Sequence, residues 1–180
     1  MASTESPDEG IPSAMTTRDL TRLALLCAVA LILFVFEAAA PRPLPWLKLG
    51  LGNVAVLMAL LLYDFRGAFA VTAIKILVGS LVTGAFAGPS FVLASGAGLA
   101  SLLLMAGGRR MASNRLSAVG LSILGAGAHQ VTQLLLASIY LGHPGLLGLF
   151  PLFVVSGIVS GGLTGVVAHF AVQRLRVGTT

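Results

Sequence analysis

Seven polar residues in an otherwise apolar chain have the types to do chemistry: Glu37, Lys48, Asn53, Lys75, His129, Gln130 and Gln133. Lys75 is the most telling. It lies near the middle of the apolar stretch from Gly67 to Phe86, and a lysine at the centre of a membrane span costs about 2.5–3.5 kcal/mol on insertion scales. Such a residue faces a protein interior or a watery cavity, where a partner offsets the cost. The partner is either a structural carboxylate, with Glu37 the candidate, or a bound anion. His129 and Gln133 are four residues apart and therefore share a helix face. The set suits binding by charge and hydrogen bonds. It does not suit acid–base or metal chemistry, because the carboxylates are isolated and Cys27 is the single cysteine, inside an apolar run. No metal, cofactor or catalytic residue is expected.

These side chains must be positioned by membrane-spanning helices. Of 180 residues 57% are hydrophobic and 9% charged, with a mean hydropathy of +0.98, more apolar surface than a soluble domain of this size can bury. The net charge of +5 is scattered over segment ends, without the basic stripe and interleaved aromatics of a nucleic-acid surface. Residues 1–19 read as a disordered cytoplasmic tail, 20–173 as the transmembrane domain and 174–180 as a short cytoplasmic tail. Six apolar segments lie at Leu20–Ala40, Trp46–Tyr63, Gly67–Phe86, Ser90–Gly107, Ser117–Leu141 and Gly148–Gln173. Each approaches the length needed to cross a ~30 Å core, the second least convincingly. The expected fold is all-α: a polytopic, compact bundle of six transmembrane helices joined by short connections.

Orientation follows from Lys and Arg. With the N-terminus inside, eight arginines (18, 22, 66, 109, 110, 115, 174 and 176) face the cytoplasm, against Arg42 and Lys48 outside. Both termini are therefore expected in the cytoplasm, in a multi-pass protein of the cell's inner (cytoplasmic) membrane. A competing reading takes Arg18 to Ala40 as a cleaved signal peptide, although the acidic tail and the length of the run favour a retained helix.

In this topology the seven polar residues fall in the central to outer half of the bundle, which suits a ligand cavity open to the outside. The alternative for each is structural: Glu37 neutralising Lys75 or Lys48, His129 a satisfied core histidine, the amides inter-helix hydrogen bonds worth about 0.6 kcal/mol each. The outer segment Pro41-Arg-Pro-Leu-Pro-Trp46 is either a lid or a stiff interfacial connection. Gly157, Gly161 and Gly165 form a small-residue face for close helix packing, and Ala24 and Ala28 a second one that is open to a partner protein.

Ordered blocks along the chain resemble one membrane family. They are Lys48-Leu-Gly-Leu-Gly-Asn53, Lys75-Ile-Leu-Val-Gly-Ser80-Leu-Val-Thr-Gly84, Phe91 to Ser101, Leu116 to Ala126, and Gly127-Ala-His129-Gln130-Val-Thr-Gln133. The family is called Gx transporter, and also heptaprenyl diphosphate synthase component I. It usually has arginine where this chain has Lys75, His-Asn at His129-Gln130, and often glycine at Thr132. Its organisation is similar to the substrate-binding subunits of energy-coupling-factor transporters. The cationic and amide residues themselves suggest a small anionic ligand, with a carboxylate or phosphate, and the resemblance implies a vitamin-like ligand taken from outside, and partners in a membrane scaffold subunit and ATPases. Ala24 and Ala28 would then be the scaffold-docking residues. The chain has no Gly-xxxx-Gly-Lys-Ser/Thr loop of its own. The family's second name implies prenyl-chain synthesis, which needs clustered aspartates to hold Mg²⁺ on a diphosphate. Asp8, Asp19 and Asp64 are isolated, so the chain is not expected to be an enzyme, and only a non-catalytic role beside a synthase remains as the alternative.

Overall fold

The computed structural model describes residues 16–40, 50–112 and 115–177. Five helices are long and apolar enough to cross a membrane: α1 (Thr17–Ala39), α2 (Asn53–Val82), α3 (Pro89–Met111), α4 (Ala118–Leu141) and α5 (Phe150–Val177). A 3₁₀ turn, Pro144–Leu149, leads into α5.

The helix ends follow local chemistry. Thr16 and Asp19 close a reciprocal capping box at the start of α1, satisfying backbone donors that the first turn leaves open. Pro89 opens α3 where its missing N–H costs nothing. Ser117 caps α4 through a hydrogen bond from the Gly120 amide, and Gly142 ends it with a left-handed φ of 64°.

α2 joins two of the six expected segments. Asp64 interrupts it with φ 59° and ψ −161°, and the chain doubles back there. Asn53 and Lys75 are 22 residues apart, about 33 Å along a straight helix, yet their side chains meet at 2.7 Å. Each lies 11 positions from Asp64, so the two arms bring them to one depth, about 16 Å from the break and near half of a ~30 Å core. The first arm begins at Asn53 rather than Trp46. From Val54 to Leu60 every side chain is buried, as expected of a helix apolar on all sides. It is the centre of the bundle, and the short length that made this segment the weakest of the six belongs to a helix enclosed by protein.

The other helices wrap this core. α1 packs on α2, α3 on α2 and α4, and α5 on α4 and α2. Leu26, Cys27, Ala30, Leu102, Met105, Leu121, Ala168 and Val172 meet the first arm in one apolar cluster. Between α4 and α5 the approach is set by glycine. A Cβ on Gly161 would lie 2.7 Å from Ile123 Cα, and one on Gly165 2.7 Å from Val119 Cα. The small-residue face on α5 thus serves packing inside the bundle. Ala24 and Ala28 are exposed on α1, away from the buried Leu26, Cys27 and Ala30.

These contacts also fix which ends coincide. Leu23 of α1 packs beside Gly67, Arg109 of α3 reaches Asp64, and the C-terminal half of α5 lies on the start of α4. The start of α1, the Asp64 break, the end of α3, the start of α4 and the end of α5 therefore share one end of the bundle. Every arginine among the described residues belongs to that end.

Candidate functional site

The expected site residues converge around the start of the first α2 arm. This helix start has no side-chain cap of its own. Glu37, near the end of α1, supplies one: its carboxylate accepts the Gly50 N–H at 2.6 Å and the Leu51 N–H at 3.2 Å. Gly50 can aim its amide this way because it adopts φ 75°. A buried carboxylate is thereby held by two amides at the positive end of a helix. Lys75 comes to the same place from the second arm, and its ammonium donates to Asn53 Oδ1 at 2.7 Å. The lysine stem packs on Gly52, where an added Cβ would come within 2.9 Å of Lys75 Cδ.

Glu37, Asn53, Lys75 and His129 line one small chamber with Phe34, Ala94 and Gly98; its volume is about 20 Å³. That is room for a water or two. Asn53, His129 and Gln130 also line a second chamber, of about 10 Å³, with Ser101, Ser122, Ser160 and Thr164. Ser122 and Thr164 hydrogen-bond across it at 2.8 Å. The Ser101 hydroxyl, buried at its edge, has no hydrogen-bond partner.

A much larger cavity opens above these chambers, at the end of the bundle away from the arginines. It measures about 380 Å³, within the usual range for small-ligand pockets. Its walls come from the ends of α1, α2 and α4 and the start of α3, including Phe34, Ser80, Thr83, Phe91, Gln133 and Tyr140. Phe34 and Ala94 border both this cavity and the Lys75 chamber, and Phe34 is wedged against Gly79. Of the six expected residues that the structure describes, only Gln133 lines it. Gln133 is 1% exposed, and its Oε1 has no hydrogen-bond partner.

Glu37, Asn53, Lys75, His129 and Gln130 thus form a nearly solid polar layer, with Gln133 above it, buried at the wall of the open cavity. Lys48 and the Pro41–Trp46 segment lie outside the described residues. The cavity walls Phe34, Ser80, Thr83, Phe91 and Tyr140 are not legible as ligand residues from the sequence, because they carry neither charge nor an amide. The remaining signal was slight: Ser80 and Thr83, three apart, turn toward one side near a helix end. Among the described residues no group of His, Cys, Asp or Glu is arranged to hold a metal ion.

No curated protein and no solved structure significantly matches the chain. A family model does, that of heptaprenyl diphosphate synthase component I, over residues 26–171. The match runs from the buried part of α1 to the last turns of α5 and takes in the polar layer and the cavity, and the chain belongs to that family.

Proposed function

We propose that this chain is the ligand-binding membrane component of a transport system, taking up a small molecule through the cavity opposite its arginines. The observation that carries this is the 380 Å³ cavity, open at one end of the bundle and floored by a charged layer at half depth. Transporters bind near the midplane, often where helix termini face the site, and the start of α2, gripped by Glu37 at half depth, is such a terminus. In this reading both α2 arms count as passes, which gives six transmembrane segments. The clustered arginines mark the cytoplasmic side, so both termini are cytoplasmic, the cavity faces outward and the membrane is the cell's inner one. Energy comes from partners, in the manner of the energy-coupling-factor systems that the sequence resembles. The exposed Ala24 and Ala28 on α1 offer the docking face for a scaffold subunit with its ATPases. Glu37, Lys48, Asn53, Lys75, His129, Gln130 and Gln133 remain the proposed ligand-site set, with Gln133 at the cavity wall and Glu37, Asn53, Lys75, His129 and Gln130 in or near its floor.

The test is native mass spectrometry of the full chain purified from its own membrane. A small molecule is expected to co-purify with wild type and to be lost on Ala137→Phe, which fills the cavity. The absence of any such molecule, together with uptake that is indifferent to Ala137→Phe, would overturn the proposal.

The family's description favours a second reading, a non-catalytic partner of a prenyl diphosphate synthase. It requires a soluble prenyltransferase that co-purifies with this chain and gains activity from it.

A further inference from the structure

Three helices run past both the Lys75 chamber and the cavity, and each passes from one to the other within a turn or two. On the second arm of α2, Lys75 lines the chamber and Thr83 the cavity, with Gly79 midway between them on the same face. On α3, Gly98 lines the chamber, Ser90 the cavity, and Ala94, midway, lines both. On α4, His129 lines the chamber and Gln133, four residues on, the cavity. The boundary therefore lies at the level of Gly79 and Ala94. The ring of Phe34 reaches that level from α1. It is seated on Gly79, where an added Cβ would come within 2.5 Å of its Cδ1 and 2.7 Å of its Cε1, and Phe34 also borders both spaces. Above the ring, none of the described residues lining the cavity is charged. The Gln133 amide and the hydroxyls of Ser80, Thr83, Ser90 and Tyr140 supply its polar groups, and these suit neutral and anionic ligands alike. The cation lies below the ring.

We infer that Phe34 is a specificity-determining residue of this site: its ring, on the Gly79 seat, partitions the cavity from Lys75, so that a ligand in the cavity binds without meeting the cation. The inference rests on the cavity being the ligand site, and it names the residue that decides whether the charge of the polar layer takes part. A ring offers a carboxylate no donor, and its face is negative, so it separates an anion from the ammonium by bulk and by field. Without the ring, the 380 Å³ cavity and the 20 Å³ chamber become continuous. A carboxylate then gains a charge-assisted hydrogen bond, roughly twice as strong as a neutral one, while a neutral ligand gains only space.

The test uses two probes of nearly one shape, 2-naphthoate and its neutral amide, at neutral pH. Each is titrated by calorimetry into the full chain in nanodiscs, and the signal of empty nanodiscs is subtracted to remove partitioning into lipid. The readout is the ratio of the two affinities, in which the loss of ring contact common to both probes cancels. A merely structural role for Phe34 would weaken both alike and leave the ratio where it was. Wild type should bind the amide at least as tightly as the carboxylate, and Lys75→Met should not change that ratio. Phe34→Ala should turn the ratio toward the carboxylate by about tenfold, and Phe34→Leu, the milder change should Ala not fold, in the same direction. Adding Lys75→Met to either should abolish the turn. A ratio unmoved in both Phe34 variants would overturn the inference, as would a turn that survives Lys75→Met. So would a wild-type preference for the carboxylate that Lys75→Met removes, since the ligand would then reach the cation past the ring. If neither probe saturates, this inference fails. The transport reading then stands or falls separately, on whether mass spectrometry finds a co-purified molecule.

Discussion

The two ends of this bundle are built differently from the same kinds of residue. Toward the arginine end, backbone meets backbone: α5 lies on α4 at glycine contact, and the first arm of α2 is buried on every side from Val54 to Leu60. At the other end the helices part around 380 Å³ of space. Between them lies the polar layer of Glu37, Asn53, Lys75 and His129. Stability and space are thus separated along the membrane normal, with the charged groups at the boundary. The dry end fixes where the helices start, so the open end needs no packing of its own to hold its shape.

The largest expected effect belongs to the packed end. Gly161→Leu puts a branched side chain where even a Cβ would be 2.7 Å from Ile123 Cα and 2.9 Å from Ser122 O. Both obstacles are backbone, so the helices must separate. We expect no monodisperse protein after detergent extraction, and Gly161→Ala to cost about 1–3 kcal/mol, measured as a lowered Tm. A wild-type Tm for Gly161→Ala would show that the α4–α5 contact is looser than described.

At the boundary the effects are intermediate. Lys75→Met leaves Asn53 Oδ1 without the ammonium that it accepts from at 2.7 Å, and a hydrogen bond to a charged group contributes about 1.5–3 kcal/mol. Lys75→Arg should retain most of the stability, since the adjoining chamber of about 20 Å³ gives the larger guanidinium room. Thermal unfolding in one detergent compares the three. If Met is tolerated as well as Arg, the layer is not held by charge.

Smaller still is the effect at the α2 break. Asp64 has φ 59° and ψ −161°, a region that suits glycine and costs other residues about 1–3 kcal/mol. Its carboxylate pairs with Arg109 at 3.1 Å, but the Asp64 side chain is 85% exposed, and such pairs contribute about 0–1 kcal/mol. Asp64→Asn loses the pair and keeps the strain, whereas Asp64→Gly loses the pair and relieves it. Asp64→Gly should therefore unfold at a higher temperature than Asp64→Asn. The reverse order would make the ion pair, not the backbone, the lock of the hairpin.

How far the sequence disclosed this division differs by region. The membrane class, the apolar segments and the glycine face on α5 were legible because composition and spacing carry them directly. The cost of burying Lys75 pointed to the polar layer, and Glu37, Asn53 and His129 do line its chamber. The hairpin escaped notice as a hairpin, since Asp64 reads as a residue between two spans and no local pattern shows that the first arm is enclosed. Residue types alone make the carboxylate of Glu37 a partner for lysine, whereas its grip on the Gly50 and Leu51 amides depends on the positive φ of Gly50, which no side chain announces. The cavity was least legible. Space between helices has no residue type, and most of its walls are apolar groups that would look the same facing lipid.

That last difference permits the sharpest comparison. Ala137 is 2% exposed and lines the cavity, so Ala137→Phe adds a ring where Gly161→Leu adds an isobutyl group. Burying the added carbons contributes favourably at about 25 cal/mol per Å², and about 380 Å³ of free space means no backbone must move to admit them. The expected change in Tm is small and upward, within about 1 kcal/mol, because the ring covers apolar wall at the cost of a rotamer. The small molecule expected to co-purify with wild type should be absent from the same variant. A loss of stability comparable to that of Gly161→Ala would mean that the open end is as tightly built as the packed one, and the cavity would then be too small to hold a ligand.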